Sequence, residues 1–242
     1  LVALYLGATP AAVYTAATRF VVLGQLGSQA VALAVQPKFS ELMALDDLDS
    51  TRHVYKVSTA WVIAVTWPIH LVVAVTAPIL LEVFGSGYEG GRWVVVLLAG
   101  AMLVATSCGT VTMLLVMAGK TAANLLNVVV ALATNIGLNV LLIPQWGVVG
   151  AGVAWGVAIV VSNLLPLFQI QRAFGLSPFG RASFAVKLLA AVTLGVMPAS
   201  GWLVDRSYAW VLCLVVVGGV LYLGGLWRLR RLLELDELAE AI

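Results

Sequence analysis

Ala122-Ala-Asn-Leu-Leu-Asn-Val-Val-Val-Ala-Leu-Ala-Thr-Asn-Ile-Gly-Leu-Asn-Val-Leu-Leu-Ile143 holds no charged residue. Neither does Val148–Phe168, which follows it across Pro144-Gln-Trp-Gly147. Each run approaches the roughly 20 apolar residues that a helix needs to cross a bilayer core of about 30 Å. Both are continuously apolar, not alternating over about ten residues, so barrel strands are excluded. Two membrane helices joined by a Pro/Gly turn is the reading that remains.

The rest of the chain repeats that pattern. Of 242 residues, 62% are hydrophobic and 10% charged, and mean hydropathy is +1.06. A soluble domain carries about 25% charged residues. Seven segments have the length and polarity of membrane spans: Ala11–Val35, Val57–Phe84, Trp93–Met117, Ala122–Ile143, Val148–Phe168, Phe184–Val204 and Tyr208–Trp227. Leu1–Gly7 reads as the last turns of one more helix, so the chain is expected to be the C-terminal part of a longer membrane protein. The fold class is an all-α integral membrane bundle. Phe84-Gly-Ser-Gly-Tyr-Glu-Gly-Gly91 and Ala118-Gly-Lys120 read as turns. Pro68 and Pro78 predict a kinked second span. Cys108 and Cys213 lie in apolar runs and read as small core fillers, not as a disulfide.

Lys and Arg set an orientation. If the polar loop 38–56 is cytoplasmic, one side holds Lys38, Arg52, Lys56, Lys120, Arg172, Arg181, Lys187, Arg228, Arg230 and Arg231. The other side holds Arg92 and Arg206. The positive-inside rule then places the C-terminus in the cytoplasm. Trp and Tyr at the run ends fit the two interfaces. The tail Arg228–Ile242 reads either as a short amphipathic helix on the inner surface or as a solvated end. The basic charge sits at membrane edges, so no nucleic-acid partner is implied.

Polar groups inside the spans are the functional candidates. Arg19 lies well inside the first span, where an uncompensated charge costs at least about 2.5 kcal/mol. It reads as a cavity-lining cation facing an anionic substrate, or as a group that snorkels or pairs with a carboxylate elsewhere. Asn124, Asn127, Asn135 and Asn139 fall within about 120° of one another at 100° per residue. Such a stripe either lines a wet cavity or hydrogen-bonds a neighbouring helix. His70, in the second span, is a candidate proton relay or a buried neutral ring bonded to a carbonyl. Gly152-x-x-x-Gly156 favours close helix packing. Enzyme, metal and nucleotide motifs are missing from the sequence, so no enzyme, metal or cofactor is expected.

Several stretches resemble bacterial polysaccharide-export flippases, in that family's order. They are Ala77-Pro-Ile-Leu-Leu-Glu-Val-Phe-Gly-Ser-Gly-Tyr88, Met117-Ala-Gly-Lys120, Leu142-Ile-Pro-x-x-Gly147-x-x-Gly-Ala-Gly152 and Tyr14-x-x-Ala17-x-Arg19. The family is the polysaccharide transporter branch of the multidrug/oligosaccharidyl-lipid/polysaccharide exporter superfamily. The resemblance implies one lobe of a two-lobed exporter. Residues 1–172 would be the end of helix seven plus helices eight to twelve, residues 173–227 two additional helices, and 228–242 a cytoplasmic tail. It implies flipping of a polyprenyl-diphosphate-linked oligosaccharide across the plasma membrane by alternating access, with Arg19 facing the diphosphate or acidic sugars. Implied partners are the lipid-linked oligosaccharide, membrane lipids, and a polymerase and glycosyltransferases of the same pathway. The alternatives are a cation-coupled multidrug exporter and a lipid II flippase. A drug exporter should carry membrane-embedded acids, and none lies at mid-span here.

Overall fold

Two helices of α7 (Thr121–Phe174) meet at Gly147, whose backbone (φ 56, ψ −133) breaks an otherwise unbroken helical run. Only glycine adopts such a conformation at no steric cost. A straight helix of this length would run about 80 Å, far beyond a bilayer core of about 30 Å. The two arms instead lie side by side. Asn127, twenty residues before the turn, and Gln169, twenty-two after it, exchange two amide hydrogen bonds of 2.8 Å each. The expected tight connection at 143–147 is therefore a single-residue reversal, with Pro144 still helical.

The structure is a computed structural model; it describes residues 1–204 and 207–234, apart from the side chains of Leu23 and Ser86. In chain order the helices are α1 (Val2–Leu6), α2 (Ala8–Ala44), α3 (Leu48–Val75), α4 (Ala77–Glu82), α5 (Arg92–Ser107), α6 (Val111–Met117), α7, α8 (Arg181–Ala190), α9 (Met197–Val204) and α10 (Tyr208–Leu229). A 3-10 turn covers Ser86–Gly91, and a π-helical segment, Ala191–Val196, joins α8 to α9. All seven expected spans are present: α2, α3 with α4, α5 with α6, the two arms of α7, α8 through α9, and α10. The chain is a multi-pass, all-α membrane bundle.

The differences from expectation have local causes. The stretch 38–56, expected as a loop, is helical except for Leu45–Asp47. Ion pairs Lys38–Glu41 (3.0 Å) and Arg52–Asp49 (2.6 Å) line its two flanks at i,i+3 spacing. Asp47 caps α3 by accepting from the Ser50 N–H at 3.0 Å. Hydrogen bonds from Ser50, its hydroxyl first and its N–H second, hold the Asp47 carboxyl below the usual carboxylate range. The second span does break, at Thr76, two residues before Pro78, which sits in the first turn of α4, where a missing N–H costs nothing. The Trp93–Met117 span divides at Cys108–Thr110 around Gly109 (φ +64). There the Tyr55 hydroxyl donates to the Cys108 carbonyl at 2.7 Å.

Between helices in lipid, packing and hydrogen bonds do the joining, because the tails are as apolar as the side chains. The pairs here follow that rule. Gly152 brings the second arm of α7 against Val94, and Gly156 brings it against Ala101, both on α5. The Gly-x-x-x-Gly reading is borne out. Pro68 cannot donate to the Ala64 carbonyl one turn earlier; the Tyr222 hydroxyl of α10 donates to it instead, at 2.8 Å. The Trp202 indole of α9 donates to the Val75 carbonyl at the end of α3 (3.0 Å). Thus α3 is the column on which α8, α9 and α10 are hung. Val2 of α1 packs with Ile143 and Ala151 of α7. Cys108 is buried, Cys213 is exposed, and both are free thiols.

After α10 the chain turns back rather than continuing as a helix. Leu233 is buried against α3, its carbonyl accepts from the Trp61 indole (2.8 Å), and Glu234 pairs with His53 (2.9 Å). The rest of the tail, 235–242, read as an amphipathic helix or a solvated end, and residues Asp205 and Arg206 lie outside the described residues.

Candidate functional site

Arg19 projects from α2 into a cleft of about 560 Å³. Four alanines of the same helix, Ala8, Ala11, Ala12 and Ala16, form one wall together with Thr15 and Ala3. Their short side chains open the space, since any larger residue at these i, i+3, i+4 positions would fill it. Phe84 and Tyr88, from the turn after α4, form the other wall. Their rings are held in a stack: Phe20 meets Phe84 edge-on at 6.0 Å, and Phe84 meets Tyr88 at 5.8 Å.

Arg19 itself is exposed in this cleft. The ion pairs among the described residues involve Lys38, Arg52 and His53, and none involves Arg19. An always-charged, five-donor guanidinium in an apolar setting calls for an anion, and it suits a bidentate phosphate or carboxylate. A larger cleft of about 760 Å³ lies on the other side of the same turn, with Glu82, Glu89, Arg92, Trp202 and Tyr208 in its lining. Its two carboxylates oppose an anionic ligand.

The asparagines lie elsewhere. Asn127 is buried and bound to Gln169 of the facing arm. Asn139 is buried and folds back on its own helix, donating to the Asn135 carbonyl (2.7 Å) and side-chain oxygen (3.1 Å). Asn124 and Asn135 are half-buried. None of the four lines the Arg19 cleft. The structure shows three of them in amide contacts: Asn127 with Gln169, which ties the arms of α7 together, and Asn139 with Asn135 within one arm.

His70 is fully buried in the seam between α2 and α3. Its Nδ1 lies 2.7 Å from the Thr66 carbonyl, so that nitrogen carries the proton. Its Nε2 has no hydrogen-bond partner among the described residues. The ring lies against the backbone of Gly24.

The structure also brings together residues that the sequence reading passed over. Gln25, Ser28 and Gln29 of α2 meet Thr106 of α5 and Ser162 and Asn163 of α7 in a third cleft, of about 410 Å³. The signal was available: Gln25-x-x-Ser28-Gln29 has i, i+3, i+4 spacing inside an apolar run, one polar patch on a membrane helix.

The fold is a helical membrane bundle in which Arg19 faces an apolar cleft. The solved structure of a lipid II flippase, MurJ in an inward closed conformation, superposes with a TM-score of 0.72 at 15% identity over 92% of this chain. That neighbour is a transporter and not an enzyme. The chain spans about half the length of the neighbour, 47% of it. No family model matches the chain, and no curated protein sequence matches it.

Proposed function

We propose that this chain forms one lobe of a flippase that moves a polyprenyl-diphosphate-linked saccharide across the plasma membrane by alternating access. The observation that carries the proposal is Arg19, exposed in an alanine-lined cleft of an exporter-type fold, without an ion-pair partner among the described residues. A diphosphate is the chemistry that such a group best receives. The likeness to a lipid II flippase favours a peptidoglycan precursor as the cargo over a surface-polysaccharide repeat unit. Among the described residues no carboxylate lines this cleft, which disfavours a cationic drug. The asymmetry of Lys and Arg supports a cytoplasmic C-terminus, with the Phe84–Tyr88 wall toward the outer face. A polymerase and glycosyltransferases of the same pathway are the implied partners. In this proposal Asn127 is a helix-to-helix contact of α7, Asn135 and Asn139 brace one arm of it, and His70 is the α2–α3 contact. A relay role for His70 instead predicts that His70→Asn flattens the pH dependence of transport.

The test is the sidedness of lipid-linked saccharide in cells depleted of the full-length protein. Label the glycan and measure its access to an external glycosidase. Accumulation of a protected inner pool of lipid II with growth arrest supports the favoured cargo. Accumulation of a surface-polysaccharide intermediate in growing cells assigns the other cargo. Unchanged sidedness of both, with raised drug sensitivity, refutes the flippase. Arg19→Ala should reproduce the depletion, and Arg19→Lys should restore transport in part, since a point charge keeps the attraction but loses the bidentate fork.

A further inference from the structure

We infer that the third cleft, between α2, α5 and the second arm of α7, is a binding site for the uncharged saccharide part of the head group. The inference rests on the flippase reading and extends it to a second subsite. In the cleft, Gln25, Ser28, Gln29, Thr106, Ser162 and Asn163 converge on about 410 Å³ within the membrane-spanning part of the bundle. Polar groups at that depth must find partners, because lipid offers none. Thr106 donates to the Met102 carbonyl, Ser162 to the Ile159 carbonyl, and Asn163 to the Ile159 carbonyl and to Ser162. Each keeps acceptor capacity free. Gln25 and Gln29 make no side-chain hydrogen bond among the described residues, and the shielded Ser28 hydroxyl has no partner among them.

The character of these groups selects the ligand. Among the described residues no Lys, Arg, Asp, Glu or His lines the cleft, so a full charge would meet no counter-charge there. Amides and hydroxyls both donate and accept. Their complement is a neutral group that also does both, such as the hydroxyls and acetamido groups of a sugar. The helix breaks beside this cleft, at Cys108–Thr110, with Gly109 in its lining. Irregular backbone at membrane depth is tolerated where it lines a cavity. Position fits as well. Gln25 and Gln29 lie about 9 and 15 Å along α2 from Arg19, turned from it by about 120° and about 80° around the helix. One ligand with an anionic end and a sugar end can therefore reach both clefts.

The experiment uses the full-length protein and two probes: a polyprenyl diphosphate, and the same lipid bearing a neutral disaccharide. The unaltered protein should bind the sugar-bearing probe more tightly. Gln25→Leu with Gln29→Leu should weaken that probe about 30-fold, the loss of two hydrogen bonds, and leave the sugar-free probe within about twofold. Arg19→Ala should weaken both. The free disaccharide should displace the sugar-bearing probe from the unaltered protein and not the sugar-free one; this arm holds even where the double variant fails to fold. Equal weakening of both probes by the double variant, or no displacement by the disaccharide, overturns the subsite. A sodium-dependent affinity lost in the double variant, with probe discrimination intact, assigns the cleft to a cation and overturns it as well. Binding of neither probe by the unaltered protein refutes the flippase reading itself, and the subsite with it.

Discussion

Gly24→Ala is the substitution whose cost the structure specifies most sharply. A Cβ built on Gly24 would lie 2.1 Å from His70 Cε1, 2.5 Å from Nε2 and 3.0 Å from Nδ1. Carbon atoms in contact stand about 3.5–4.0 Å apart, so ring and helix must separate by about 1.5 Å. The ring cannot swing away freely: it is fully buried and its Nδ1 is tied to the Thr66 carbonyl. Overpacking of this kind costs about 1–3 kcal/mol. The better helix propensity of alanine returns about 1 kcal/mol. The expected net loss is up to about 2 kcal/mol. Gly27→Ala is the control: its nearest obstacle is Val65 Cγ1 at 2.6 Å, the end of a side chain that is 46% exposed. Rotating it costs about 0.5–1.5 kcal/mol, which the propensity gain cancels. The assay is denaturant unfolding of the detergent-solubilised full-length protein, in both wild-type and His70→Ala backgrounds. Removing the imidazole should abolish the penalty at position 24. An equal cost in both backgrounds, or an equal cost at 24 and 27, would refute the argument.

Tyr222→Phe leaves the Ala64 carbonyl, already deprived of its helical donor by Pro68, without a partner; unfolding measurements should show a loss of about 1–3 kcal/mol, and Pro68→Ala should reduce it. Asn127→Leu and Gln169→Leu should each destabilise, and a double-mutant cycle should give a coupling of about 0.6–2 kcal/mol, whereas Asn124→Leu should couple to Gln169 negligibly. For Asp47, the folded carboxyl is held below its ordinary range, so its capping contribution is present above the unfolded pKa of about 3.9 and lost as pH falls through the lower folded value. Asp47→Ala should therefore speed amide exchange at Ser50 and Thr51 near neutral pH, with the difference from wild type vanishing in acid.

Span number and type were legible in the sequence because lipid is an unforgiving solvent: charge-free runs of about 20 residues have few other uses. Arg19 was legible for the same reason, since a single intramembrane charge stands out against a 10% charged background. The asparagine stripe was visible, but its partner was not. Finding Gln169 requires knowing that the chain reverses at Gly147 alone, so that residues 127 and 169 come level. Likewise Pro68 announced a missing hydrogen bond but could not name Tyr222, which lies 154 positions away in sequence and reaches back from α10.

Periodicity and hydropathy are local properties, so the sequence alone determined that this chain crosses a membrane as helices, where those helices lie, and that Arg19 would need an anion or a polar lumen. Which polar residues face one another is a matter of helix rotation and neighbour choice. Those are set by close approaches such as Gly24 on His70 and Gly152 on Val94, and by single hydrogen bonds between distant segments. Only the tertiary structure could therefore pair Asn127 with Gln169 across the arms of α7, leave Arg19 facing an alanine-walled cleft, and gather the amides and hydroxyls of three helices into another.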